Sequence, residues 1–160
     1  MSPPLLFYRF NHRIHRLGLH RTAKVLSWLN RWLFGVWLPA SATLGRGVTL
    51  GYWGLGVVVH SNSVLGDGCL IGQNVTIGRN FGDVAVPRIG NNVYLGAGSV
   101  VFGDITLGDN VVVGANSVVN KSIAANSIVA GNPVRIIGTT GGRHYRQLDA
   151  DKLKQRQPHA

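Results

Sequence analysis

The chain has no glutamate, one cysteine and one methionine in its 160 residues. A single thiol cannot build a disulfide framework, which fits a reducing, cytoplasmic compartment, and Cys69 reads as a small core residue. All six acidic residues are Asp at or beyond position 67, so residues 1–66 carry no negative charge. Three His are needed for a His-ligated zinc, and His60 is the only one between residues 21 and 143, so no metal is expected. No apolar run is long enough to span a bilayer, and Arg31 interrupts the longest. The Ala-Ser-Ala at 40–42 imitates a secretory cleavage site, but it fits the repeat described below, so no leader is expected. The net charge of +10 favours anionic partners. No nucleic-acid-reading motif accompanies it, so nucleic acid is set aside.

What the chain does have is 22 glycines and a count of six. From Ile89 to Ala130 it divides into IGNNVY, LGAGSV, VFGDIT, LGDNVV, VGANSV, VNKSIA and ANSIVA. The first position is aliphatic from Ile89 to Val119 and weakens to Ala at 125. The fifth is small or β-branched throughout. Helical spacing would be three and four, and this much glycine would weaken a helix. Six residues suit a short strand plus a corner, three of which close a triangular coil. The fold class predicted is mainly β, a parallel β-helix of hexapeptide repeats. Coils must stack because one alone cannot bury its interior. Gly, Asn and Asp suit corners that demand positive φ.

The repeat occupies residues 38–137. Before it, residues 1–37 read as a basic helical arm. Leu6, Phe10, Ile14 and Leu17 share one face of a first helix that Gly18 stops. Leu26, Leu29, Leu33 and Val36 share a face of a second, roughly 22–37. The pair is expected to pack on the solenoid base or a neighbouring subunit; the alternative is peripheral contact with a membrane. At the far end, Pro133, Val134, Ile136 and Ile137 are expected to cap the last coil. Residues 138–160 read as a polar tail, flexible or a short helix from Leu148.

Two interruptions stand out: GYWGLG at 51–56, and a loop at 79–88, where Ile77 and Ile89 stand twelve residues apart and six would suffice. Loops thrown from a rigid repeat are favoured places for function. Counting by eighteen sets Val59 under Ile77, so His60 falls beneath Gly78 at the loop's root. Ser61, Arg79, Gly103 and Lys121 then share the next column.

Residues 113–137, VGANSVVNKSIAANSIVAGNPVRII, resemble the closing signature of hexapeptide acyltransferases. GVVVHSNSVLGDGCLIGQNVTIG (56–78) resembles the serine acetyltransferase branch and the related exopolysaccharide acetyltransferases. The resemblance implies a left-handed coil, against the usual crossover rule, and a homotrimer using acetyl-CoA. It also implies acetyl transfer to a hydroxyl acceptor, serine or a sugar, with a His as general base. That branch carries histidines in His-Ala-Thr-Gly and Arg-His-Pro-Lys segments. Here the corresponding stretches read Tyr52-Trp53-Gly54-Leu55-Gly56 and Ala85-Val86-Pro87-Arg88. His60 is therefore the candidate base, with Asp83 orienting it or binding the acceptor. Arg79 or Arg88 would sit near an oxyanion or acceptor carboxylate, and Tyr52 and Trp53 at the acceptor. Gly96, Ala97, Gly114 and Ala115 would line pantetheine, and Lys121 and Arg135 would face the nucleotide phosphates. A flat Thr array, as in an ice-binding solenoid, is missing. A non-catalytic scaffold remains an alternative, and it predicts no CoA binding.

Overall fold

The structure, a computed structural model, describes residues 2–82 and 84–156. Two helices, α1 (Pro3–Arg16) and α2 (His20–Phe34), precede a first half-coil of β1 (Thr43–Leu44) and β2 (Thr49–Leu50). Three coils follow, each of three strands. They are β3 (Val58–Val59), β4 (Val64–Leu65) and β5 (Leu70–Ile71); then β6 (Thr76–Gly78), β7 (Arg88–Ile89) and β8 (Tyr94–Leu95); then β9 (Val100–Phe102), β10 (Thr106–Leu107) and β11 (Val112–Val113). The last comprises β12 (Val118–Val119), β13 (Ser127–Ala130) and β14 (Arg135–Thr139), before α3 (Tyr145–Arg156).

Like strands stack in parallel into three faces: β3-β6-β9-β12, β1-β4-β7-β10 and β2-β5-β8-β11-β13. The chain forms the parallel hexapeptide solenoid that its sequence predicts. First-position Leu95, Val101, Leu107, Val113 and Val119 are fully buried, as are fifth-position Val93, Ser99, Val111 and Ser117. Three edges join the faces. Between the second and third, Asn92 donates to Asn110 at 3.3 Å and Asn110 to Asn126 at 2.9 Å. These three residues hold left-handed φ, which a short amide side chain tolerates better than a larger one. Between the third and first runs a column of glycines, Gly72, Gly96 and Gly114. Between the first and second emerges the 79–88 loop.

Three expectations need correction, and a fourth is narrowed. The weak Ala125 is no first-position residue: the last coil contracts by two, so Ile123 bridges Leu107 and Val129 pairs with Val113. Val134 is buried, but Ile136 and Ile137 are exposed, and the end is closed by β14 pairing antiparallel to β13. Of the two readings of the tail, the short helix is the one found: α3 starts three residues earlier than Leu148, and its Tyr145 ring lies 5.6 Å from that of Tyr94 on the third face. The second helix ends at Phe34, because Gly35 caps it at φ 65°, and Trp37 joins the first rung beneath Val58.

The arm departs most. Leu6, Phe10 and Leu17 face outward, and Leu5, Tyr8 and Asn11 face in. On α2, Ala23, Ser27 and Asn30 are buried, whereas Leu29 and Leu33 are exposed. The inner seam is hydrogen-bonded. Asn11 donates to Ser27 Oγ at 2.8 Å, Ala40 N–H donates to the same oxygen, and the Tyr8 hydroxyl reaches Ala42 O. Small residues allow close approach, and paired polar groups tolerate burial. An apolar periodicity identifies a helix without saying which side the solenoid takes.

Candidate active site

The register places His60 as counted. Val59 pairs with Ile77, and the His60 amide donates to Ile77 O at 2.8 Å. Its half-buried side chain opens into a cleft of about 260 Å³ with Trp37, Pro39, Ser61, Thr76 and Gly78. The Asn62 amide donates to His60 Nδ1 at 3.2 Å. A backbone N–H can only donate, so Nδ1 is the acceptor and the neutral ring carries its proton on Nε2. Among the described residues Nε2 has no hydrogen-bond partner. In this state the ring presents a donor. To act as a base through Nε2 it must move its proton to Nδ1 and give up the Asn62 bond, a cost of roughly 1 kcal/mol.

Arg79 and Arg88, both exposed, flank the loop. Arg88 lies on the second face, paired with Val64 and Thr106. The loop presents Phe81 and Val84 to solvent. Asp83 lies outside the described residues.

The remaining predicted residues divide between two edges. His60, Arg79, Arg88 and Lys121 belong to the loop edge, with Lys121 exposed in the last coil. Tyr52 and Trp53 stand on the glycine edge, as do Gly96, Ala97, Gly114 and Ala115. Arg135 joins them: it pairs with Ala130, whose Cβ would lie 2.9 Å from a Cβ on Gly114. The two expected phosphate partners are thus separated by the first face. Tyr52 and Trp53 are exposed and hold successive left-handed φ of 46° and 59°. Bulky side chains there cost roughly 1–2 kcal/mol each.

The glycine edge fits an amide-bearing chain such as pantetheine. Among the described residues, the amides of Ala97 and Ala115 have no acceptor within the chain. They repeat one coil apart, roughly 4.8 Å. Side-chain-free Gly96 and Gly114 keep the edge low beside them.

Sequence reasoning missed Trp37, Pro39 and Asn62. The signal for Trp37 was available, since it immediately precedes the first-position Leu38 and so falls on an outward position of the first rung.

The repeat matches two family models, Bacterial transferase hexapeptide (six repeats) over residues 87–121 and Hexapeptide repeat of succinyl-transferase over 63–86. A serine acetyltransferase of Helicobacter pylori is 36% identical over 135 residues, covering 83% of this chain and 78% of that protein. The chain belongs to the serine acetyltransferase family. The Synechocystis serine acetyltransferase is 40% identical over 93% of this chain, and the chain spans 60% of that relative's length. The Escherichia coli protein named as colanic acid biosynthesis acetyltransferase WcaB is 47% identical over 104 residues, 64% of each chain. Among solved structures, serine acetyltransferase from Brucella abortus in complex with coenzyme A superposes with a TM-score of 0.82 at 33% identity. That match covers 86% of this chain and 55% of the other.

Cys69 stands apart from both edges. It is fully buried, its Sγ is 3.2 Å from Gly90 O, and burial pushes its thiol up to about 11. At about 11 the thiol is scarcely ionised at neutral pH. Because burial both withholds the thiolate and blocks access to it, a disulfide reagent should modify the native chain at least about tenfold more slowly than the unfolded chain. Equal rates would show that the interior opens freely.

Proposed function

We propose that this chain transfers an acetyl group from acetyl-CoA to an acceptor hydroxyl, in the manner its relatives' names describe. The observation that carries the reading is His60, alone among the body's histidines, opening into a cleft one coil beneath the extruded loop. The acceptor oxygen attacks the thioester carbonyl while the imidazole takes its proton. The C–O bond forms, the C–S bond breaks, and His60 returns the proton to the departing sulfur. Such help matters because a free hydroxyl is scarcely ionised at neutral pH. Arg79 or Arg88 at the loop root stabilises the developing oxyanion or holds an acceptor carboxylate. Backbone amides of Ala97 and Ala115 hold the pantetheine arm, and Arg135 meets the phosphates.

His60 and the glycine edge lie on opposite sides of the first face, so a single chain does not complete this site. A homotrimer, in which one copy's glycine edge closes against another's loop edge, would supply both walls of the groove. A cytoplasmic location suits the single buried thiol.

Serine is the first acceptor, supported by the family names. A sugar hydroxyl is the second, favoured by the exposed Tyr52–Trp53 pair, which in a homotrimer one copy's glycine edge would bring toward its neighbour's His60. The 47% identity to the colanic acid protein supports it as well. The test is thiol release from acetyl-CoA with L-serine and a panel of sugars, alongside the thermal shift produced by CoA. Release with serine or with a sugar is the expected result and assigns the acceptor. Silence with every acceptor and no shift with CoA would overturn acetyl transfer in favour of a scaffold.

A further inference from the structure

The helical arm is built inside out. Its hydrogen-bonded seam faces the solenoid: Ser27 receives Asn11 and Ala40, Asn30 Nδ2 donates to Pro4 O at 3.3 Å, and His12 Nδ1 contacts Ala40 O at 2.7 Å. The opposite faces carry the large apolar groups. On α1 and its C-terminal cap these are Leu6, Phe10 and Leu17; on α2 they are Val25 and Trp32, with Trp32 84% exposed, whereas Trp28 turns inward to pack edge-on against Trp37 at 5.2 Å. Helical spacing sets Phe10 and Leu17 directly opposite the buried Tyr8 face, and Val25 and Trp32 opposite Ala23 and Ser27. Exposed apolar surface on this scale marks a docking site.

The charges say what docks there. Arg13, Arg16, Arg21, Lys24 and Arg31 are exposed on the same two helices, and residues 1–66 hold no acid. A second copy meeting this surface through its own arm would bring like charges together with no carboxylate to offset them, which opposes arm-to-arm association. An anionic lipid surface supplies the counter-charge for the cations and a hydrocarbon boundary for the Trp, Phe and Leu side chains. Among the described residues no helix is long and apolar enough to cross a membrane. The arm would therefore lie along the interface.

We propose that the outer face of α1 and α2 docks this protein on anionic membrane surfaces. The His60 cleft shares Trp37, Pro39 and Ser61 with a second cleft lined by His15, His20 and Lys24 of the arm.

The test is flotation of the full chain with two kinds of vesicle, phosphatidylcholine alone and phosphatidylcholine doped with phosphatidylglycerol. Tryptophan emission and sedimentation of the lipid-free chain are recorded in parallel. Binding should be confined largely to the doped vesicles, weaken as salt rises, and shift the emission to the blue. The double variants F10S/W32S and R13Q/R21Q, checked for native melting, should each bind about tenfold less. Failure to float with doped vesicles would overturn the proposal, and so would salt-independent binding by the unaltered chain. Concentration-dependent association abolished by F10S/W32S, without vesicle binding, would also overturn it and assign the face to a second copy. None of these readouts depends on acetyl transfer, so this proposal and the catalytic one fail separately.

Discussion

Replacing His60 by Ala should lower acetyl transfer roughly a thousandfold while leaving the melting temperature and the CoA-induced thermal shift nearly unchanged. The ring is half-buried at a corner, and its recorded bond is a 3.2 Å contact with Asn62 N–H, so little packing is lost. A second substitution separates two ways the ring could work. With Nδ1 accepting from Asn62, Nε2 is a donor in the neutral ring and would suit an oxyanion. Gln at 60 keeps a terminal amide that donates, but it has no basic nitrogen. If His60 accepts the acceptor's proton, His60→Gln should be as inactive as His60→Ala. Recovery of more than about a tenth of the activity by Gln would assign the ring to oxyanion stabilisation and move the base elsewhere. Survival of the Ala variant within a few-fold would remove His60 from the chemistry.

The solenoid was readable because its physics is local and repeated. Each six-residue block carries its own corner and its own inward residues, so Val59 under Ile77 followed from counting alone. The count failed where the chain shortened it. Two residues are dropped between Val119 and Ile123, and a frame of six cannot register a contraction that keeps an aliphatic residue at nearly the right place. The helices failed for another reason. Leu6, Phe10 and Leu17 form a correct helical stripe, but the seam against the solenoid was taken by Asn11, Ser27 and Tyr8, whose hydrogen bonds are long-range. Sequence spacing carries no information about which face finds such partners.

The site was legible in its residues more than in its grouping. His60 beneath Gly78 and the paired Gly96 and Gly114 columns were all countable. That they occupy opposite edges of the first face follows only from closing the triangle. The same closure parts Lys121 from Arg135. It also sets Tyr52 and Trp53 on the glycine edge, across the first face from His60.

Those two edges give the second large effect, because their glycines do different work. A Cβ on Gly96 would stand 2.6 Å from Ala115 N and 2.7 Å from Val113 O, backbone atoms of the next coil that cannot move aside singly. Gly96→Ala must wedge the stack apart. It should cost about 3 kcal/mol, which for a chain of this size is roughly a 10 °C fall in melting temperature. A Cβ on Gly78 meets no atom within 4 Å, and its strand conformation suits any residue. Gly78→Ala should therefore melt within about 0.5 kcal/mol of the unaltered chain. Its methyl group, however, would occupy the cleft above His60, where a misplacement of about 1 Å is costly, and turnover should fall roughly tenfold. If Gly78→Ala instead keeps full activity, the acceptor does not pass over His60 and the loop edge is not where transfer occurs. If Gly96→Ala melts like the unaltered chain, neighbouring coils are less closely stacked at that edge than their 2.6 Å clearance requires.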